Sequence, residues 1–276
     1  AARPSPSAPP PHSLPLRLAG RRPPAMPRLS GGGAAFATSS QSDDTVKTNL
    51  ESVNAAIADV CSQIGKPIPR LVAVSKVQPN EKVEAAYAAG HRHFGENYVQ
   101  ELVGKAPVLP DDIKWHFIGM LQSNKAKTLI QGVPSLYMVE SVHSAKTASA
   151  LQKACANAGR EEKLKVLVQV NTSQEDAKSG CEPSEVVPIA KMIVEECPDL
   201  TLAGLMTIGA FDDPNPEPYF QLLSKCREEV ASSLGLDVST LELSMGMSGD
   251  FAKAIAAGST NVRVGSTIFG ERMKKE

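Results

Sequence analysis

At 276 residues with 42% apolar content, the chain can bury one large α/β core or two small ones, and no stretch approaches the length of a membrane span. Its formal net charge is −1, and setting aside the five arginines among residues 1–42 leaves −6 on the remainder, which disfavours the basic face a nucleic-acid footprint needs. The five cysteines, Cys61, Cys155, Cys181, Cys197 and Cys226, are scattered and nowhere spaced Cys-x-x-Cys, which argues against a metal site or a disulfide frame and fits a reducing compartment.

Residues 1–42 stand apart. They hold Arg3, Arg17, Arg21, Arg22 and Arg28, no acid and no lysine, with many Pro, Ala, Ser and Gly. Such a stretch cannot bury enough apolar surface to fold. It reads either as an organellar transit peptide or as a disordered leader without function, the first methionine being Met26. The two readings place the chain in an organelle, mitochondrion or plastid, or in the cytoplasm.

From 44 to about 64 the apolar residues Val46, Leu50, Val53, Ile57, Val60 and Ile64 recur at steps of three or four, the stripe of a helix packed on one face. The period then changes. Eight short apolar runs, at 71–75, 93–95, 115–118, 136–139, 165–170, 202–206, 241–244 and 262–264, alternate with amphipathic stretches such as 81–89, 144–158, 183–196, 219–234 and 251–257. Gly90, Gly159, Pro198, Gly235 and Gly258 stand where helices should stop.

Strand alternating with helix implies parallel pairing, and eight repeats within residues 43–276 match the size of a single closed (β/α)8 TIM barrel preceded by an extra helix. An open doubly wound sheet is the alternative. It would carry a glycine-rich turn after its first strand, whereas Ser75-Lys76-Val77-Gln78-Pro79 has no glycine.

A barrel works at the carboxyl ends of its strands. Those ends carry Lys76, Glu96, Asn97, the 119–124 loop, Glu140, Ser141, Asn171, Thr172, Thr207, the 244–248 turn and Arg263 to Ser266. Ser248 stands before the helix at 249–257, as a plain N-cap or as a phosphate ligand at the positive helix end. The second Gly-Ser turn, Gly265-Ser266, strengthens the anion reading, because barrels often hold phosphate after strands seven and eight. Lys76 ends an almost wholly apolar strand, where its ammonium either reaches water or loses hydration, so that its pKa falls and the amine can attack an aldehyde. An aldehyde cofactor that carries a phosphate, such as pyridoxal 5′-phosphate (PLP), satisfies both features. Cys181, in a loop at 178–182, is read as an ordinary free thiol, with a reactive one as the alternative.

The segments Leu71-Val-Ala-Val-Ser-Lys76, His93-Phe-Gly-Glu-Asn-Tyr-Val-Gln-Glu101, Trp115-His-Phe-Ile-Gly119, Leu121-Gln-Ser-Asn-Lys125, Gly204-Leu-Met-Thr207, Leu243-Ser-Met-Gly-Met-Ser248 and Val262-Arg-Val-Gly-Ser-Thr-Ile-Phe-Gly270 follow one another in order. Together they resemble the PLP homeostasis protein family, small PLP-binding proteins similar to the barrel domain of alanine racemase. The resemblance spans roughly 46–272 and implies that Lys76 forms the internal Schiff base with PLP. It also implies that Arg263 faces the pyridine nitrogen, that Ser248, Gly265 and Ser266 cradle the phosphate, and that Asn97 lines the cofactor. Many relatives carry threonine where this chain has Ser266, and either residue supplies a hydroxyl and an amide. The 116–125 segment is equally characteristic but acquires no chemical role, and its plain reading is strand packing for His116 and a helix cap for Ser123 or Asn124.

An arginine can only donate, so a ring nitrogen opposite Arg263 must accept and stay unprotonated, which weakens PLP as an electron sink. The alternative for Arg263 is an ion pair at the barrel lip with Glu96 or Glu140. The resulting expectation is a non-catalytic protein that buffers, stores or delivers PLP, as a monomer or weak dimer, to apo PLP enzymes. A PLP-dependent racemase on the same barrel is the alternative; it needs acid/base groups on two faces of the substrate carbon, and of Tyr87, Tyr98, Tyr137 and Tyr219 only Tyr98 falls near a strand end. An aldolase or isomerase using Lys76 on a sugar phosphate would explain lysine and phosphate site equally well.

Overall fold

The computed structural model describes residues 35–175, 179–210 and 213–270, with residues 35–42 described by backbone alone. Residues 1–34 of the stretch read as a leader lie outside the described residues. Eight parallel strands pair in sequence order, and the eighth closes on the first: β1 (Arg70–Val74), β2 (His93–Glu96), β3 (Lys114–Phe117), β4 (Leu136–Val142), β5 (Leu164–Gln169), β6 (Leu200–Met206), β7 (Glu242–Ser244) and β8 (Asn261–Val264). The closing pair runs in register, Arg70 beside Asn261 and Val72 beside Arg263. All eight expected strands are present, and the open sheet is excluded.

Around the barrel lie α1 (Ala35–Ile64), α2 (Asn80–Ala88), α3 (Val99–Lys105), α4 (Ala126–Gly132), α5 (Ala145–Ala158), α6 (Val186–Glu196), α7 (Glu217–Leu234), α8 (Phe251–Ala256) and α9 (Ser266–Phe269). Local chemistry sets several of their ends. Ser144 caps α5 by accepting the Thr147 N–H, and Gly159 and Gly235 take the left-handed conformation that closes α5 and α7.

α1 packs outside the barrel against α2, α8 and α9, and Asn49 donates to the Ile268 carbonyl at 3.1 Å. Its buried stripe is Val46, Leu50, Val53, Ile57 and Cys61. Val60 is half-buried against the core and continues the stripe as expected. Only Ile64 is corrected: it is the last residue of the helix and 41% exposed, and Cys61 takes the final buried position.

The apolar core lies between strands and helices. Leu71, Ala73, Phe94, Trp115, Phe117, Leu243, Val262 and Val264 point outward into it. Alternation along the strands turns His116, Glu140, Ser244, Asn261 and Arg263 inward. Hydrogen bonds from Ser244 on β7 and Asn261 on β8 to the Glu140 carboxylate on β4 cross the barrel interior, which joins a polar network to a small apolar cluster of Met138, Leu167, Ala203 and Met206.

Candidate functional site

One cavity of about 970 Å³ opens at the carboxyl ends of the strands. Lys76, Asn97, Ser248, Arg263, Gly265 and Ser266 all line it, so residues scattered over almost 200 positions share one space. Its remaining walls include Val74 and Ile118 on one side and Ile208, Pro214 and Pro216 on the other.

Lys76 follows β1 in a tight turn in which the Gln78 N–H donates to the Ser75 carbonyl at 3.1 Å. Its neighbour Val77 has φ +58°, a left-handed conformation that costs a β-branched residue energy. Asn97 directly follows β2, and its Oδ1 is buried with no hydrogen-bond partner among the described residues. Such an atom asks for a partner from whatever fills the cavity. Gly119 explains much of the segment that acquired no role from the sequence: a Cβ on it would stand 2.0 Å from the Asn97 carbonyl oxygen. Only glycine lets the end of β3 pack this closely beneath Asn97.

Ser248 and Ser266 arrive from the turns after β7 and β8, and their hydroxyls lie 3.5 Å apart. The Ser248, Gly249, Ser266 and Thr267 N–H groups make no backbone hydrogen bond among the described residues, leaving donors at the cavity wall. The N-cap expected at Ser248 is corrected. α8 starts at Phe251 with Asp250 at the cap position, and the Asp250 carboxylate accepts the Met247 N–H at 2.5 Å, which folds Ser248 into the preceding turn. Ser123 and Asn124 likewise sit inside a short 3-10 turn (Ser123–Lys125) that has no side-chain cap.

Arg263 is 4% exposed and held on two sides: one guanidinium nitrogen donates to the Ser244 hydroxyl, the other to the Thr207 carbonyl at 2.7 Å. Burial lowers its pKa, against the opposing pull of the Glu140 and Asp250 charges. The anticipated lip ion pair is thus replaced by an indirect contact, because Ser244 stands between Arg263 and Glu140 and donates its own hydroxyl to the carboxylate. Burial alone would raise the Glu140 pKa, but the hydrogen bond and charge of His116, the Arg263 charge and the Ser244 hydroxyl bring it to about 2.

His116 contacts Glu140 Oε1 through Nδ1 at 2.6 Å and His93 Nδ1 through Nε2 at 2.9 Å, so this residue joins the network under the cavity floor rather than serving as plain strand packing. Glu96 does not face the cavity. It turns outward between β2 and α3, where Lys105 and Ser75 donate to it.

Three charged cavity residues escaped the sequence reading: Asp213, Asp250 and Lys253. Lys253 Nζ donates to the Pro214 carbonyl at 2.7 Å and lies 3.1 Å from Glu217, tying α8 to the loop after β6. The hydrogen bond from Tyr219 and the Asn215 N–H lower the Asp213 pKa. No periodicity marks such contacts in advance, because they join loops to distant helices. The reactive-thiol alternative for Cys181 is also corrected. Its backbone bridges to Val170, the side chain is buried, and burial together with nearby glutamates pushes its pKa up to about 12.

Among the described residues no His/Cys/Asp/Glu group could hold a metal ion, and no helix is long and apolar enough to cross a membrane. The residues present do suit a small phosphate-bearing aldehyde: an amine, a donor-only cation, an unpartnered amide and a pair of hydroxyls around one cavity.

Comparison with known proteins agrees with this geometry. The family model described as alanine racemase, N-terminal domain, matches residues 46–273. The pyridoxal phosphate homeostasis protein of Homo sapiens is 50% identical over 212 residues, 74% of this chain and 77% of the relative. The protein of the same name from Caenorhabditis elegans is 45% identical over 241 residues, covering 84% and 98%. PipY of Synechococcus elongatus, solved with PLP bound, superposes with a TM-score of 0.68 at 30% identity, over 82% of this chain and all of PipY. The barrel, the cavity and these likenesses together show that the chain belongs to the pyridoxal phosphate homeostasis protein family.

Proposed function

We propose that the chain takes part in PLP homeostasis by holding PLP in this cavity, attached covalently through the Lys76 amine, and that it buffers or delivers the cofactor without turning over a substrate. The observation that carries this is the convergence of Lys76, Asn97, Ser248, Arg263, Gly265 and Ser266 on one cavity. Ser248, Ser266 and the Gly265 turn hold the phosphate, Asn97 gives its orphan amide end, and Arg263 meets the ring nitrogen. When bound, PLP supplies a reactive aldehyde and an electron sink. Because Arg263 donates only, the nitrogen it meets must accept, which keeps that sink weak.

The absence of turnover is supported by the lining. Racemisation needs proton-transfer groups on both faces of a substrate carbon, yet the described cavity wall holds no tyrosine, histidine or cysteine. Of its charged groups besides Lys76 and Arg263, Asp213 is a weakened base, Asp250 is committed to the Met247 amide, and Lys253 is held by the Pro214 carbonyl and Glu217. Apo PLP enzymes are the recipients in this reading, and the unit that binds PLP is residues 43–276, as a monomer or weak dimer. A fluorescent fusion with and without residues 1–42 tests whether the leader directs the chain to an organelle or leaves it in the cytoplasm.

The central test is mass spectrometry after borohydride reduction of the purified protein. A pyridoxyl group on Lys76, with loss of yellow colour in Lys76→Ala, is expected. A colourless protein, a pyridoxyl group elsewhere, or trapping only with sugar phosphates would sink the proposal.

A further inference from the structure

Behind the Lys76 turn, on the side away from the cavity, lies a buried charge cluster that the cofactor site does not use. Lys105, the last residue of α3, is 6% exposed, and its ammonium spends all three donors. It donates to the Ser75 carbonyl at 2.8 Å, to Glu96 Oε1 at 2.7 Å and to Glu101 Oε1 at 2.7 Å. Glu101 also accepts the Val77 N–H at 2.7 Å, and Glu96 accepts the Ser75 hydroxyl at 2.7 Å. The residues on either side of Lys76 are thus held by one cluster: Ser75 through its carbonyl and hydroxyl, Val77 through its amide.

Val77 sits in the left-handed region, where its Cβ is disfavoured, so the turn would relax to another conformation if nothing held it. A buried charge cluster can fix one geometry over others, and here the Lys105 ammonium is fully satisfied although Glu96 Oε2 has no hydrogen-bond partner among the described residues. A point-like ammonium on a long stem suits a site with three acceptors in three directions.

We propose that Lys105 and Glu101 are positioning residues for Lys76: they hold the strained turn that presents its amine to the cavity. The inference rests on the covalent attachment proposed above, since it explains how that amine is kept in place. It makes the strain at Val77 and the cluster two halves of one device, so their effects should be coupled.

The test uses Lys105→Met, Glu101→Ala and Val77→Gly, alone and in pairs, in the full chain. Glu101→Ala leaves the Lys105–Glu96 pair intact and charge-balanced, so it carries the test if Lys105→Met does not fold. Two quantities are read. Amide hydrogen exchange of the peptide spanning residues 75–78 is measured in the apo-protein. Covalent occupancy of Lys76 after borohydride is compared with total bound PLP from equilibrium dialysis.

In a folded variant, exchange at 75–78 should rise on the order of tenfold, the loss of one hydrogen bond to a charged group. The covalent fraction should fall by a similar factor while PLP is still retained by the phosphate cradle. Glycine accepts φ +58° without strain, so Val77→Gly should recover much of both effects.

Wild-type exchange and covalent fraction in folded Glu101→Ala would overturn the inference, as would a loss of total binding in step with covalent occupancy, or no recovery with Val77→Gly. If the wild-type chain takes up no PLP, the proposed function fails, whereas the exchange measurement still decides whether the cluster holds the turn.

Discussion

The closest approach in the site is made by a residue with no side chain. Gly119 brings the end of β3 beneath the Asn97 carbonyl, and an added methyl would have to displace backbone rather than a flexible side-chain tip. Gly119→Ala is therefore expected to cost about 1–3 kcal/mol, the usual penalty of overpacking, read as a lower urea midpoint with an unchanged m-value. It should also weaken PLP retention, because Asn97 would move from the wall. A midpoint within ~0.5 kcal/mol of wild type would show that the contact is relieved cheaply. At this scale the sequence spoke clearly where one residue type has few uses, as with Lys76 after an apolar strand or the two Gly-Ser turns. It was silent on Asp250 and Lys253, whose positions follow from where α8 begins and from a loop residue, Pro214, 39 positions upstream of Lys253.

The elements show why most of the fold was legible and part was not. Parallel strands buried on both faces read as short apolar runs, and all eight were found from them. α3 and α4 span too few turns for a periodicity to stand out, and α8, shorter still, is marked in the sequence by the Gly258 stop beyond it. The buried stripe of α1 stops short of the helix's last residue, Ile64, and that difference is measurable. Leu50→Ala, which removes a side chain 2% exposed, should cost about 2–5 kcal/mol, whereas Ile64→Ala should stay within ~0.5 kcal/mol of wild type. Equal costs in urea unfolding would restore the stripe first inferred from the sequence.

The whole molecule joins an apolar outer core to a barrel interior that carries a buried polar network, and this combination governs its response to acid. At one end of the interior Arg70 on β1 pairs with Glu242 on β7, reaching past β8, and Lys165 lies 4.5 Å over the Tyr137 ring. From there His93, His116, Glu140 and Ser244 lead to Arg263 at the cavity. Burial, then the charges of His116, Arg70 and Lys114, lower the His93 pKa to about 3, and burial, opposed by a hydrogen bond with the His93 carbonyl, lowers that of His91 to about 4.

A histidine whose folded pKa is depressed is bound neutral, so its contribution is fully present above the unfolded value near 6.5 and is lost as pH falls toward the folded one. Glu140, depressed to about 2, acts in the same direction but lower, between its unfolded value near 4.5 and pH 2. Unfolding free energy should therefore be flat from pH 8 to 7 and decline from about 6.5 to 4. The slope should be about 1 kcal/mol per pH unit, carried mainly by His91, because His93 is more exposed and solvent screens part of its penalty. Urea midpoints at pH 5, 6, 7 and 8 measure it. His91→Asn should flatten the decline while lowering the plateau, and a wild-type curve level down to pH 5 would mean that these rings charge without cost in the folded barrel. Since Glu140 stays ionised throughout this window, the Ser244 anchor of Arg263 should persist, and PLP retention should outlast the first loss of stability.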